Sequence, residues 1–425
     1  MITCKNNTYE VLAWVDALTF LLLSSSIKSV EKRFREEMKM KKLLSIGLSV
    51  VLALSCLVAC GGGNADAGNA DATVFKIGGI GPLTGGAAAY GDAVNKGAQV
   101  AVDEINAAGG INGYQIEWKM EDDEHDAEKS VNAYNALKDW GMQMLVGTVT
   151  SAPCIAVEAE AVNDNMFLIT PSGTAVDCIS GANAFRLCFS DPTQGTKSAE
   201  FIGTNKIASK VAIIFDSSDP YSTGIKDAFK AEAANQGIAI VAEEAFTSDS
   251  KTDFKVQLQA AKESGAELLF LPIYYQEASL IIQQANDMGY APKLFGCDGM
   301  DGILGVENLD LSLCEGIMFL TPFTANAEDA ASQSFVKAYA EKFNNEVPIQ
   351  FAADAYDAVY AIKAAAEKAN VTPDMSVSDI CDALAAQMTE ITLTGLTGEI
   401  TWDASGEPNK EPKAVVIKNG VYEAM

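Results

Sequence analysis

One histidine, His125, stands in a chain of 425 residues. A Ser-His-Asp triad, a multi-histidine zinc site or a histidine acid–base pair would have to rest on that residue alone. It lies in an acidic run, Glu121 to Asp126, that reads as a solvated loop. No Gly-x-Ser-x-Gly nucleophile elbow occurs, and no Cys-x-x-Cys pair that would suggest a zinc knuckle. The glycine turn Gly79-Ile80-Gly81-Pro82-Leu83-Thr84 lacks the third glycine of a dinucleotide fingerprint. Basic residues are scarce: 30 Lys and Arg face 57 Asp and Glu, a net charge of −27. Such a surface cannot displace the counterions of phosphate, which excludes nucleic acid as a partner. These absences point away from an enzyme, a resident cofactor and a metal site.

What is present suits a globular protein with two sizeable cores, since 48% of residues are hydrophobic and 20% charged. The chain is organised around Met144 to Thr174. A short apolar run, Met144-Leu145-Val146, stops at Gly147 and releases Thr148-Val149-Thr150-Ser151-Ala152. Pro153 then fits the first turn of a helix, where its missing N–H is not needed. A second buried run, Phe167-Leu168-Ile169, ends in Thr170-Pro171-Ser172-Gly173-Thr174. The pattern predicts a βαβ unit whose two strands each open into a hydroxyl-rich loop at one sheet edge, where parallel sheets bind small ligands. Ser151, Ser172 and Thr174, with the free N–H groups of the following turns and Thr150 in the same loop, make a cup of donors suited to a carboxylate. Helix capping is the plainer use of such hydroxyls.

Further along, Val211 to Phe215, Ile238 to Glu243 and Leu268 to Leu271 read as strands alternating with helices at Ile225–Gln236, Phe254–Glu263 and Ala278–Met288. The alternation predicts a second doubly wound α/β lobe. Ser334–Phe343 and Ala352–Lys368 read as later helices of the first.

The amino terminus is an address. Lys39, Lys41 and Lys42 precede an almost wholly apolar stretch, Leu43 to Val58, close to the short limit for spanning a membrane. Basic, apolar and small-residue regions in that order make a secretory signal. Leu57-Val58-Ala59-Cys60 resembles the lipobox of bacterial lipoproteins, which implies cleavage before Cys60 and a diacylglycerol on its sulfur. Residues 61–72 then form a Gly/Asn/Asp/Ala tether. Beyond the cut, Cys154, Cys178, Cys188, Cys297, Cys314 and Cys381 remain, and six cysteines allow 15 pairings.

Gly81-Pro82-Leu83-Thr84-Gly85, Tyr90-Gly91 and the run Ala101 to Gly113 (AVDEINAAGGING) resemble the leucine/isoleucine/valine-binding protein family, the type I periplasmic binding proteins of branched-chain amino acid ABC importers. Phe185-Arg186, Asp191, Gln194-Gly195, Asp298-Gly299 and Leu396 to Asp403 add to the likeness, which spans residues 73–418. The resemblance implies two Rossmann-like doubly wound lobes joined by a three-crossing hinge. Lobe 1 would be residues 73–190 plus 322–397, and lobe 2 residues 191–321 plus 398–425, after a signal region (1–59) and a lipidated tether (60–72). It implies that Ser151 and the Ser172/Thr174 loop hold a ligand carboxylate. Asp298 would hold the ammonium with help from Thr174, and Tyr90, Tyr221 and Tyr274 would surround the ligand. Asp298 replaces the Glu of many relatives, and the shorter acid changes the reach to the ligand. The expected role is a monomeric, lipid-anchored binding protein on the outer face of the cytoplasmic membrane, delivering a small amino acid to ABC permease subunits. Binding an amide or urea-like compound, or sensing for a receptor in trans, are the alternatives.

Overall fold

The computed structural model describes residues 73–425. Cys60, the signal region and the tether lie outside the described residues.

The chain first builds β1 (Val74–Gly81), α1 (Ala88–Ala107), β2 (Gln115–Asp122), α2 (Ala127–Trp140), β3 (Met144–Gly147), α3 (Ser151–Asp164), β4 (Phe167–Thr170) and β5 (Ala184–Arg186). These strands form an all-parallel sheet in the order β2-β1-β3-β4-β5. Side chains alternate across a strand, and both faces here are apolar. Met144 and Val146 enter one hydrophobic cluster while Leu145 enters the other, and Phe167, Ile169 and Leu168 divide the same way. Burial on both faces explains why these strands read as uninterrupted apolar runs rather than alternating ones.

A second body follows: α4 (Asp191–Thr204), β6 (Lys210–Asp216), α5 (Pro220–Ala233), β7 (Ala239–Phe246), α6 (Lys255–Glu263), β8 (Leu268–Leu271), α7 (Tyr275–Asp287), β9 (Lys293–Gly296) and β10 (Met318–Thr321). The chain returns through α8 (Ala330–Lys342), α9 (Gln350–Ala369) and α10 (Val377–Met388), makes the hairpin β11 (Leu393–Gly395) and β12 (Gly398–Ile400), and ends in β13 (Lys413–Lys418) and β14 (Val421–Ala424). The second sheet runs β14-β13-β10-β9-β8-β6-β7, with β13 antiparallel to both its neighbours.

Helix ends follow local chemistry. Asp126 caps α2 by accepting from Lys129 N (2.9 Å), and Gly141 closes that helix at φ 93°. Asp219 caps α5, whose first residue is Pro220. Helix α9 packs on α1 so closely that a Cβ on Gly97 would lie 2.0 Å from the Ala352 carbonyl oxygen, so only glycine fits there.

Two expectations shift. The division drawn at Thr397–Gly398 falls in the turn of the β11–β12 hairpin. There Asp357 of α9 accepts from the amides of Leu396 and Thr397 (both 2.9 Å) and from the Thr397 hydroxyl (2.6 Å). The chain joins the second sheet only at Lys413, so residues 401–412 make the third passage between lobes. The helix Val377–Met388, absent from the sequence reading, covers one flank of α9 with Ile380, Cys381, Leu384 and Met388 buried. The six cysteines among the described residues are unpaired and buried.

Candidate functional site

The loops after β3 and β4 are stitched to each other by their hydroxyls. Thr170 Oγ1 donates to Thr148 O and Ser172 Oγ donates to Val149 O, each at 2.7 Å. Ser151 Oγ accepts from Ala175 N at 3.2 Å. A hydroxyl has one proton and two lone pairs, so these bonds set what each presents. Ser151, already accepting, has its proton left to give. Ser172, already donating, has lone pairs left to accept with. Ser151 also opens the 14-residue α3, whose N-terminal amides carry partial positive charge. Thr174 is fully buried and its Oγ1 has no hydrogen-bond partner within the described residues.

Asp298, which follows β9, comes from the opposite lobe. Its Oδ1 accepts from Tyr221 Oη and from Gly299 N, both at 2.8 Å. Its backbone is held by Gln194 Oε1, which accepts from Asp298 N (3.0 Å), and by Gln350 Nε2, which donates to Asp298 O (2.9 Å). Oδ2 takes no part in these bonds. Burial pushes the carboxyl up to about 7, against the lowering effect of its hydrogen bonds. Tyr221 and Tyr274 stack at 4.7 Å, Tyr90 meets Tyr274 edge-on at 5.7 Å, and Phe351 lies 4.4 Å from the Tyr90 ring.

Tyr90, Thr150, Ser151, Ser172, Tyr221, Tyr274 and Asp298, seven of the eight residues singled out in the sequence, line one small cavity together with Val149, Gly299 and Phe351. Thr174, fully buried, is not part of that lining. The lobes are shut upon one another: Tyr90 Oη donates to Gly299 O and accepts from Tyr275 N (3.1 Å). Only ≈10 Å³ stays open between them, about the space one water needs. Past Tyr221 and Tyr274 the cleft widens into a chamber of ≈440 Å³ lined by acids such as Asp216, Asp219 and Glu277, with Lys251 and His125.

His125 departs from the solvated-loop reading. It is half-buried, its Nδ1 lies 2.8 Å from Thr150 Oγ1, and its ring meets Tyr274 edge-on at 5.4 Å. Burial, with Lys251 nearby, lowers its pKa to about 4, so it is neutral at pH 7. Val149, Gly299 and Phe351 were missed. Val149 and Gly299 adjoin residues that were named, whereas nothing local in the sequence marks Phe351. The arrangement offers a hydroxyl donor and helix amides at one end, an ionisable acceptor at the other, and aromatic walls between. It suits a small molecule with an anionic and a cationic group.

A family profile described as "Periplasmic binding protein" matches residues 74–417. The chain is 34% identical over 320 residues to Leu/Ile/Val-binding protein homolog 3 of Brucella melitensis, covering 73% of this chain and 83% of that protein. It is 33% identical to a Leu/Ile/Val-binding protein of Rhizobium johnstonii, covering 71% and 81%. Among solved structures, the branched-chain amino acid transporter substrate-binding protein LivJ of Streptococcus pneumoniae, in complex with isoleucine, superposes with a TM-score of 0.75 at 32% identity. That match covers 83% of this chain and 98% of LivJ.

Proposed function

The chain belongs to the periplasmic binding protein family, in its leucine/isoleucine/valine-binding branch, and is a substrate-binding protein of ABC transport; from this premise we propose that its substrate is an aliphatic α-amino acid, held whole between the lobes. The observation that carries the reading is the placement of Asp298, with one oxygen uncommitted, across an aromatic-walled cavity from Ser151 and the start of α3. Burying both charges of a zwitterion is costly unless each is paired, and these groups supply one partner for each. Ser172, whose hydroxyl proton is committed to Val149 O, has only acceptor capacity left, which suits an ammonium better than the carboxylate role expected for it. The protein catalyses no reaction and works as a monomer. Its lobes open about the three crossings to admit the ligand, and the ligand selects a form closed around it, with more room between the lobes than the ≈10 Å³ of the fully shut cleft. Thermal-shift screening of ligand-stripped protein against amino acids, short amides and organic acids tests the substrate class. Stabilisation by isoleucine, leucine or valine above all others is expected. Stabilisation by amides or acids alone would replace the reading.

Acidity gives a second test. An ammonium beside Asp298 favours its ionised form, so binding at pH 6 should release a proton, and affinity should fall about tenfold per pH unit below about 7. In the shut form without ligand the sign is opposite. Asp298 has its pKa raised from 3.8 to about 7, so the native state holds the proton more tightly than the unfolded chain. Its contribution to stability is complete below about 4 and lost as pH rises through 7. Burial raises Asp219 to about 6 and Asp123 to about 7, in the same direction. Unfolding of unliganded protein should therefore require more urea at pH 5.5 than at pH 8.

Export and attachment complete the proposal. The protein acts outside the cytoplasm, tethered by diacylglycerol on Cys60, and hands its ligand to permease subunits. A diacyl group anchors stably where one chain does not. Cys60→Ser should move the protein from the membrane to the soluble fraction on fractionation of the native host; unchanged membrane association would rule out lipidation at Cys60.

A further inference from the structure

Arg186 is only 1% exposed, yet none of the polar partners of its guanidinium belongs to the cavity lining. It faces backbone instead. Nη1 donates to Gly173 O (3.3 Å) and to Thr174 O, and Nη2 donates to Ala175 O (3.0 Å) and Val176 O (3.4 Å). Four successive carbonyls are thus turned onto one cation. On its other side Nε lies 2.9 Å from Glu407 Oε2, an ion pair by proximity in which Nε–H is not aligned for a hydrogen bond. Glu407 belongs to residues 401–412, the third passage between lobes. The same passage is sewn to the Arg186 backbone twice more, by Arg186 N donating to Gly406 O (3.1 Å) and by Trp402 Nε1 donating to Arg186 O (2.7 Å). Gly406 holds φ 80°, and a Cβ there would lie 2.3 Å from Ala184 O. The first passage meets this knot as well, because Asp191 N, opening α4, donates to Thr174 O at 2.9 Å.

A helix cap or a core ion pair would use one or two of these groups. Here a planar fork spans four carbonyls of the very loop that follows Ser172, while its remaining edge is committed to a hinge residue. Only guanidinium has the donors and the planarity to do both. We infer that Arg186 is a positioning residue that ties the Gly173–Val176 loop to two of the three inter-lobe passages, so that hinge geometry and the shape of the Ser172/Thr174 end of the site change together. The inference rests on the proposed ligand site for its functional consequence, though the linkage can be read without a ligand. The loop takes its binding shape more readily when the hinge strand holds Glu407 against Nε. A ligand that draws in Thr174 therefore pulls on the hinge.

Glu407→Gln is the decisive variant. Glu407 is partly exposed and lies outside the cavity lining, so the change removes a charge from the hinge without altering a proposed ligand contact. In the unliganded protein, ¹⁵N-resolved amide signals of Gly173 to Val176 should shift. Affinity for isoleucine should fall about two- to five-fold, the range of a partly exposed ion pair. Glu407→Asp, which keeps the charge, should recover part of both effects. In an Arg186→Lys background, where the fork is gone, Glu407→Gln should add nothing. Unchanged loop signals in a folded Glu407→Gln protein would overturn the inference, whether or not an amino acid binds. Shifted signals in a protein that binds no amino acid would uphold the linkage and refute the substrate reading instead.

Discussion

Asp298→Asn should lower affinity for the bound amino acid by about thirty-fold to several thousand-fold, the ~2–5 kcal/mol typical of removing one partner from a buried charge pair. The geometry makes the substitution clean. Oδ1 already accepts from Tyr221 and Gly299, and the Asn oxygen can keep both bonds. The amide NH₂ must then occupy the Oδ2 position and present donors to an ammonium that is itself all donors. The fold should survive, since Asp-Gly and Asn-Gly serve the same turns, and circular dichroism should be unchanged. The dependence of affinity on pH between 6 and 8 should disappear with the carboxyl. Calorimetry on the variant reads both effects. An unaltered affinity would take Asp298 out of the site.

Lys410→Met should destabilise the protein by about 3–5 kcal/mol, because it strands a buried carboxylate. Lys410 Nζ lies 2.8 Å from Asp354 Oδ1, and each side chain is only 2% exposed. The pair joins the third inter-lobe passage to α9, one turn before Asp357 secures the β11–β12 hairpin. Burial raises the Asp354 carboxyl to about 6 even though Lys410 pulls it down. Without Lys410 it rises further, so the variant's loss should shrink as pH falls below 6, where the carboxyl is neutral. The double change Asp354→Leu with Lys410→Met should recover most of the stability, as apolar replacements of buried pairs commonly do. Urea unfolding at pH 8 and pH 5.5 measures all of these. A single variant as stable as the wild type would mean that water reaches Asp354.

What could be read from the sequence depended on how local the signal was. Strands buried on both faces announce themselves as short apolar runs, and their loops as Thr, Ser, Gly and Pro, so the β3–α3–β4 unit and its hydroxyls were visible. Asp298 was found because resemblance supplied a role that an Asp-Gly pair alone would not suggest. Phe351 reaches the cavity from a helix that begins some 200 residues after Ser151, and only tertiary packing brings it there. The same holds for Asp354 with Lys410 and for Arg186 with Glu407, whose spacings carry no pattern. His125 was misjudged because its acidic neighbours dominate the local composition, whereas its ring turns toward Thr150 and Tyr274. The helix Val377–Met388 did carry its own mark: Ser376 accepts from Asp379 N (3.1 Å) as a cap, and Val377, Ile380, Cys381 and Leu384 follow helical spacing.

Pairing of both ligand charges is the point on which the proposed function stands, and calorimetry with two ligands of nearly one shape tests it most directly. Isoleucine and 3-methylpentanoic acid share a carboxylate and an aliphatic branch, but the acid lacks the ammonium that Asp298 would meet. At pH 8 the purified chain should bind isoleucine one to one and show no measurable heat with the acid. Equal affinity for the two, or binding of the acid alone, would contradict an α-amino acid site built on Asp298.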